Sequence, residues 1–369
     1  MRIIDRATVT GHFLREFHSK RGCAGAGRNR SQCHMQFKGS LIPCRLCGSP
    51  PEEHVVYATR DRHMRSLRTV RCPRCNLVFS NPMPTDEELD EFYKAEYRTL
   101  YKGAVGPQPK RILRATRVAL SRARLLSTLV RPGAKVLDIG AGGGETVYAL
   151  TRLGYDAQGI EPGADYAEFA RSAYGIRIHI GPFLTFAGEE GTFDAVISFH
   201  VMEHLPDPDV FFGFVKSQLK KGGVLLVEVP NIASRRGSFS GRFHMAHVHH
   251  FSSATMQAFA EKSGFSLLGN HAGPEDGIVV MSFVNGPAAG KPPKKTLPAP
   301  DAAAAAKAVQ RLGRERRVLG GGWLATRMSL LRRTLNERRF VRSVAREDIA
   351  RIVVDRHLAA MRNRKQDQG

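Results

Sequence analysis

The sequence has no apolar run that approaches the roughly 20 residues needed to cross a membrane. Its N-terminus also lacks the short apolar segment of a secretory signal peptide. These absences predict a cytoplasmic protein without a transmembrane segment, in which disulfides are not expected. Tryptophan occurs once in 369 residues, and all six cysteines lie within the first 75. Any chemistry of the cysteines is therefore confined to the N-terminal part of the chain.

A glycine-rich loop near the middle of the chain lacks the residues that bind phosphate. Residues 136–144 are an apolar run, an acid and a glycine-dense turn, and helix-forming residues follow. This pattern is typical of the start of a nucleotide-cofactor βαβ unit. Neither a G-x-G-x-x-G fingerprint nor a Gly-Lys-Ser/Thr ending is present, and Asp138 and Glu145 would repel phosphate. The same acids suit a cofactor with a cationic amino-acid end.

S-adenosylmethionine is such a cofactor, because it carries an ammonium and a sulfonium and no phosphate. The run from Asp138 to Gly144, D-x-G-x-G-x-G after a hydrophobic strand, resembles motif I of the class I S-adenosylmethionine-dependent methyltransferases. The resemblance implies an α/β fold with a Rossmann-like seven-stranded sheet. It places the cofactor on Asp138, Gly140, Gly142 and Gly144.

Two further residues are expected at the cofactor. The predicted second strand ends at Glu161, where a carboxylate can accept both ribose hydroxyls. The alternative is that Glu161 only caps the helix that begins near Gly163. Adenine is expected near Phe183, although the acid that often ends strand three of the family is absent here.

Strand and helix patterns alternate from residue 131 onward, which predicts a parallel sheet. We expect the methyltransferase domain over residues 131–288, after a linker and a basic amphipathic helix over residues 104–130. That helix is expected to pack on the sheet, with a membrane or partner surface as the alternative. The predicted strands are 135–139, 157–161, 176–180, 193–199 and 224–229, and a closing antiparallel hairpin of 265–268 and 278–283.

The candidate catalytic residues follow the fourth and fifth strands. The segment after strand four resembles the E-H-L-x-D-P segment of the family, and a histidine-rich loop follows strand five. A hydroxyl or carbon acid needs a base with a near-neutral pKa, and imidazole provides one. His200 is the first candidate for this base, followed by His247 and His250. Glu203 and His204 either take part in catalysis or only brace the turn.

A divalent metal is an alternative at the same place. His200, Glu203 and His204 share one face if the turn is helical, and a histidine of the loop over residues 244–250 could complete a site. The layout is similar to metal-assisted O-methyltransferases that act on small-RNA ends or quinone precursors. Those enzymes carry E-x-x-E-H, whereas His200 replaces the first glutamate here.

Four cysteines form a second candidate site near the N-terminus. Two C-x-x-C pairs offer four thiolates to one tetrahedral ion, which predicts a structural Zn²⁺. They are Cys44, Cys47, Cys72 and Cys75. We expect a small zinc-ribbon-like module and a helix over residues 41–103, since so small a unit needs metal to fold. This leader resembles that of some bacterial methyltransferases, including ones that modify sugars.

The net charge of +22 lies on the flanks of the predicted methyltransferase domain. Residues 1–130 contain 24 basic and 11 acidic residues, and residues 289–369 contain 20 and 7, whereas residues 131–288 contain 12 and 16. Residues 1–40 are predicted to be a disordered basic extension, with Met35 as an alternative start. A Pro/Ala-rich linker is expected over 289–310 and a basic helical tail over 311–369. These flanks can contact nucleic acid or an anionic surface, or remain solvated.

The sequence therefore predicts methyl transfer from S-adenosylmethionine to a small molecule, a sugar or a glycan or lipid precursor. An RNA or quinone-type O-methyltransferase with a divalent metal is the first alternative. RNA is favoured by the basic flanks but opposed by the acidic central domain, which lacks interleaved aromatic and basic residues. A non-catalytic interaction protein on a methyltransferase fold is the second.

Overall fold

A computed structural model describes residues 39–92, 106–234, 242–273, 276–287 and 334–366. The predicted linker at 289–310 lies outside these residues, as does the predicted N-terminal extension apart from residues 39 and 40. The helices and strands are β1 Val55–Arg60, β2 Ser66–Arg71, β3 Val78–Ser80, α1 Asp86–Phe92, α2 Pro109–Leu126, β4 Lys135–Ile139, α3 Glu145–Arg152, β5 Asp156–Glu161, α4 Ala164–Tyr174, β6 Arg177–Ile180, β7 Phe193–Phe199, α5 Pro208–Gln218, β8 Leu219–Pro230, β9 His249–His250, α6 Ser253–Lys262, β10 Phe265–Asn270, β11 Ile278–Asn285, α7 334–342 and α8 Ile349–Gln366.

A seven-stranded sheet forms the centre of the molecule. Its strand order is β6-β5-β4-β7-β8-β11-β10. Strands β4 to β8 pair in parallel, whereas β11 is antiparallel to both of its neighbours. This confirms the predicted α/β sheet and its closing hairpin. Because the parallel strands share one direction, their carboxyl ends meet at one edge, where a ligand site is expected.

Apolar residues on both faces of the sheet explain why these segments are strands. Val136, Leu137 and Ile139 of β4 are each at most 1% exposed, and the other central strands are similarly buried. Helix α2 covers one face with Ile112 and Leu113, which are also buried. The basic amphipathic helix predicted within residues 104–130 therefore packs on the sheet, but it ends at Leu126, four residues before the end of that range.

The N-terminal strands belong to a second sheet that crosses the expected domain boundary. Its order is β1-β2-β3-β9, and β9 comes from the histidine-rich loop of the central domain. Val78 pairs with His250 and Phe79 with His249. Phe79 is fully buried between the rings of His54 and His249. The cysteine module and the histidine loop therefore share one sheet.

Two helices near the C-terminus pack back onto the central domain. Ile349, Ala350 and Val354 of α8 are fully buried in the apolar cluster that includes α2 and α3. Phe340 and Val341 of α7 are half-buried against the same cluster. Among the described residues, no helix is both long enough and apolar enough to span a membrane.

Candidate active site

The glycine-rich loop connects β4 to α3 in a conformation that side chains rarely adopt. Gly140, Gly142 and Gly144 have φ values of 80°, 56° and 80°. A Cβ on Gly140 would lie 2.3 Å from Val201 Cγ2, and a Cβ on Gly144 would lie 2.6 Å from Ala170 Cβ. Glycine is therefore required both for the turn and for close packing.

Asp138 lies under this loop at the end of β4 and is 3% exposed. Burial raises its pKa to about 7, and the charges of Glu161 and Glu145 add to this, whereas Arg122 opposes it. Its Oδ1 has no hydrogen-bond partner among the described residues. A buried carboxylate oxygen without a partner is costly, so the site fits a ligand with a cationic or hydrogen-bond-donating end.

Glu161 holds the glycine-rich loop with one carboxylate oxygen and the start of α4 with the other. Oε2 accepts from the Gly142 amide and Oε1 from the Gly163 amide, each at 2.8 Å. The capping contact considered as an alternative is therefore present. Each carboxylate oxygen has a second lone pair, so ribose hydroxyls can still be accepted, and that role stays a prediction.

Phe183 lies after β6 in a short 3₁₀ turn and is half-buried. Its ring packs against Phe214 and Phe211 of α5, with centroids 5.0 Å and 6.1 Å away. One side of Phe183 is thus held by the core. Its contact with adenine stays a prediction.

His200 follows β7 with a φ of 60° and bridges two carboxylates. Nδ1 lies 3.2 Å from Glu203 Oε1, and Nε2 lies 3.0 Å from Glu228 Oε1. Burial lowers its pKa, but hydrogen bonds and charges of both glutamates outweigh this and raise the pKa to about 9. The ring is then an imidazolium at neutral pH, with no lone pair to take a proton. This disagrees with His200 as the first candidate for a general base.

Glu228 and Arg122 are functional candidates that the sequence analysis missed. Arg122 binds Glu228 at 2.7 Å and stacks on the Phe199 ring at 4.0 Å. Burial raises the pKa of Glu228, but the hydrogen bonds and charges of His200 and Arg122 outweigh this and lower the pKa to about 2. The sequence signal that could have identified Glu228 is its position as the acidic residue in the apolar run of residues 224–229.

Glu203, His204 and His247 bring three potential metal ligands together. One ligand atom from each lies within 4.8 Å of the other two. Glu203 Oε1 is 3.9 Å from His204 Nε2 and 4.0 Å from His247 Nε2. Glu203 is 1% exposed, and its Oε2 has no hydrogen-bond partner among the described residues. The turn is a 3₁₀ helix over Met202–His204 that does not include His200. His200 is therefore not one of the three potential ligands Glu203, His204 and His247.

His247 of this cluster is kept neutral. His204 Nδ1 donates to the Ala246 carbonyl at 2.9 Å, and its Nε2 lies 3.9 Å from Glu203 Oε1. Burial, followed by the charges of neighbouring histidines, lowers the pKa of His247 well below its usual value. A neutral imidazole whose other nitrogen is hydrogen-bonded to a carbonyl is the form that ligates metals.

The other histidines of the loop have different surroundings. His250 is buried in β9 against the Phe243 ring, and burial lowers its pKa to about 3. His249 Nδ1 donates to the Leu205 carbonyl at 2.9 Å. His244 Nδ1 accepts from the Ala246 amide at 3.1 Å. His250 is therefore not among the residues that the structure gathers at Glu203.

The four cysteines predicted to bind metal lie together in the N-terminal module. Their sulfur atoms are within 4.8 Å of one another, with 3.4 Å between the sulfurs of Cys44 and Cys75 and 3.5 Å between those of Cys47 and Cys72. The turns after the two pairs place Gly48 and Asn76 at positive φ, as the knuckle pattern requires. Four converging sulfurs have the chemistry of a tetrahedral Zn²⁺ site.

Comparisons with known proteins agree with this geometry. Residues 111–269 match a family model described as a methyltransferase domain. Ubiquinone biosynthesis O-methyltransferase of Xanthomonas campestris pv. campestris is 33% identical over 163 residues, which are 41% of this chain and 66% of that relative. The same-named protein of Xanthomonas axonopodis pv. citri is 33% identical over 151 residues, 39% of this chain and 61% of that relative. The chain thus spans less than two thirds of the length of these relatives.

Solved structures also resemble the chain at low sequence identity. One is 1,6-didemethyltoxoflavin-N1-methyltransferase of Burkholderia thailandensis, at 14% identity and a TM-score of 0.44, covering 57% of this chain and 96% of that one. Another is a SAM-dependent methyltransferase of Aquifex aeolicus, at 15% identity and a TM-score of 0.39, covering 48% and 98%. The family model carries the comparison: residues 111–269 match a methyltransferase domain, in agreement with what the glycine-rich loop predicts.

Proposed function

We propose that the chain transfers a methyl group from S-adenosylmethionine to a hydroxyl oxygen of a small acceptor, with a divalent cation at Glu203, His204 and His247. The buried carboxylate of Glu203 carries this proposal: its Oε2 has no hydrogen-bond partner among the described residues, and its Oε1 lies 3.9 Å from His204 Nε2 and 4.0 Å from His247 Nε2. The relatives named as ubiquinone biosynthesis O-methyltransferases support the oxygen as the methylated atom. The metal-assisted alternative of the sequence analysis is thereby preferred over a histidine base.

The donor would bind at the glycine-rich loop. Asp138 is suited to the ammonium group, because its buried oxygen lacks a partner and gains one on binding. Gly140 to Gly144 leave the backbone open to close approach, and Glu161 holds the loop in place. Methyl transfer is an in-line displacement, so this positioning supplies much of the acceleration.

The cation site fits the residues present, with a small adjustment. Ligand atoms about 2.1 Å from a tetrahedral ion lie about 3.4 Å apart, whereas Glu203 Oε1 is 3.9 Å from His204 Nε2 and 4.0 Å from His247 Nε2. Rotations of the two imidazoles would close this gap. A bound cation would lower the pKa of an acceptor hydroxyl. His200 would help to hold Glu203 in place through its contact with Oε1.

The cysteines would bind Zn²⁺ for structure. Their module is small, and its strand β3 pairs with β9. Metal binding would therefore also stabilise the histidine-rich loop that carries His247. A sugar or glycan precursor would also fit this site as the acceptor. The basic flanks would suit contact with RNA or with an anionic surface. If the chain were instead a non-catalytic interaction protein, it would keep the cysteine site but would not bind S-adenosylmethionine.

Metal binding provides the direct test. Mn²⁺ favours oxygen and nitrogen ligands over thiolates, and its electron paramagnetic resonance signal changes when it is bound. We expect one Mn²⁺ equivalent on the wild-type protein, and at least about tenfold weaker binding to Glu203→Gln and to His247→Ala. Glu190→Gln is the matched control, because Glu190 is exposed and is not one of the residues gathered at Glu203. Equal Mn²⁺ affinity in all four proteins would refute the cation site.

Donor binding is measured separately by calorimetry. Asp138→Ala should weaken S-adenosylmethionine binding by about 1–3 kcal/mol, the cost of losing hydrogen bonds to a charged group. NAD serves as the competing ligand. Tight NAD binding without S-adenosylmethionine binding would refute the donor assignment.

A further inference from the structure

A cavity of about 760 Å³ lies between α2 and the carboxyl ends of β7 and β8. Its volume is within the range of pockets that hold small organic ligands. Apolar side chains from α2 and from the strands β7 and β11 form its walls: Val118, Leu125, Phe199, Ile278 and Val280. The cavity can therefore accommodate a flat or branched apolar body.

Two arginines of α2 introduce positive charge at this cavity. The side chains of Arg114 and Arg117 line it and are 50% and 49% exposed. Both guanidinium groups bind one carboxylate, that of Glu337 in α7, at 2.8 Å and 3.2 Å. Glu337 is 1% exposed, and Thr334 of the same helix also lines the cavity. A carboxylate from the C-terminal part of the chain thus already occupies the anion-binding groups.

The cavity adjoins the candidate catalytic residues. Glu228 lines it and binds Arg122 on one side and His200 on the other. His200 in turn contacts Glu203 of the candidate cation site. Two side chains, Glu228 and His200, therefore connect a ligand in the cavity to Glu203 of the candidate cation site.

We propose that this cavity binds the methyl acceptor, and that the acceptor carries a carboxylate or phosphate recognised by Arg114 and Arg117. Glu337 acts as an internal stand-in that the anionic group of the acceptor displaces. Two guanidinium groups on one anion form the kind of paired contact that gives both geometry and charge recognition. This inference rests on the proposed methyl transfer, but it concerns binding and can be tested without turnover.

The experiment measures binding of simple anionic probes to the full chain. Benzoate and phenyl phosphate are titrated into the wild-type protein and into Glu337→Gln, with benzamide as the uncharged analogue. We expect Glu337→Gln to bind at least one of the anions at least fivefold more tightly than wild type, with little change for benzamide. The tighter of the two anions identifies the anionic group.

Arginine variants then locate the site. Adding Arg114→Gln or Arg117→Gln to Glu337→Gln should weaken anion binding at least tenfold, whereas Arg124→Gln, on the exposed side of the same helix, should not. If Glu337→Gln does not fold, wild type and Arg117→Gln are compared at higher probe concentrations. Anion binding that is unchanged by Arg114→Gln and Arg117→Gln, or that equals benzamide binding, overturns the inference. S-adenosylmethionine binding is measured on the same proteins. If they bind S-adenosylmethionine but not the anions, the anion site is refuted while the proposed methyl transfer is not.

Discussion

Lowering the pH from 7 to 6 should weaken S-adenosylmethionine binding about fivefold through Asp138. The pKa of this carboxyl is raised to about 7, first by burial and then by the charges of Glu161 and Glu145, with Arg122 opposing. Only the ionised carboxylate attracts the cationic end of the donor. For one group with a pKa of 7, the apparent dissociation constant exceeds its high-pH value by a factor of about 2 at pH 7 and about 11 at pH 6. The sign follows from the raised pKa, because acid neutralises Asp138 within this range.

Calorimetric titration at pH 7 and pH 6 measures this ratio directly. The α-amino group of the donor stays mostly protonated over the interval, so it contributes little. Asp138→Asn should bind more weakly and lose the pH dependence. Burial also raises the pKa of Glu145 to about 7, so Glu145→Gln is the matched control, and it should keep the dependence. A wild-type ratio near 1, or the same ratio in Asp138→Asn, would contradict the assignment of Asp138 to the donor.

Three further predictions concern the packing that supports the site. Cys72→Ser, or a chelator that would remove the metal proposed at the cysteines, should weaken Mn²⁺ binding at Glu203 at least about tenfold, because β3 pairs with β9 and the residues that support metal ligands contribute about this much. Arg74→Gln, an exposed change in the same knuckle, should leave Mn²⁺ binding unchanged. Phe79→Ala should lower the free energy of unfolding by about 3–5 kcal/mol, because Phe79 is fully buried, and urea denaturation with Phe79→Leu as the milder comparison checks this. Ile349→Ala should lower the free energy of unfolding by about 2–5 kcal/mol, because α8 is part of the folded domain. Met361→Ala, at an exposed position of the same helix, should leave the urea midpoint unchanged.

The sequence predicted most accurately the segments in which functional residues follow directly on the end of a strand. The apolar run before Asp138 and the glycines after it predicted β4 and its loop, because a buried strand and a tight turn each leave a compositional pattern. The predicted fourth strand matches β7 in both bounds. Two C-x-x-C pairs likewise predicted the convergence of four sulfurs, since short turns force neighbouring cysteines onto one side.

The remaining features depend on contacts between distant segments, which leave no periodicity. Strand β9 has two residues, His249 and His250, and its partner β3 lies about 170 positions earlier. The state of His200 could not be inferred, because Glu228 enters from another strand and reverses the effect of burial on the pKa. The contact of Glu337 with α2 joins residues 220 or more apart.

The shared sheet of β1, β2, β3 and β9 makes the N-terminal leader structurally inseparable from the methyltransferase domain. A polypeptide that began at residue 131 would retain every glycine and carboxylate of the donor loop. It would nevertheless expose the backbone of β9 and the apolar surface that Phe79 covers. Leader and domain should accordingly unfold in a single cooperative transition, and a truncated domain should aggregate through the uncovered strand edge.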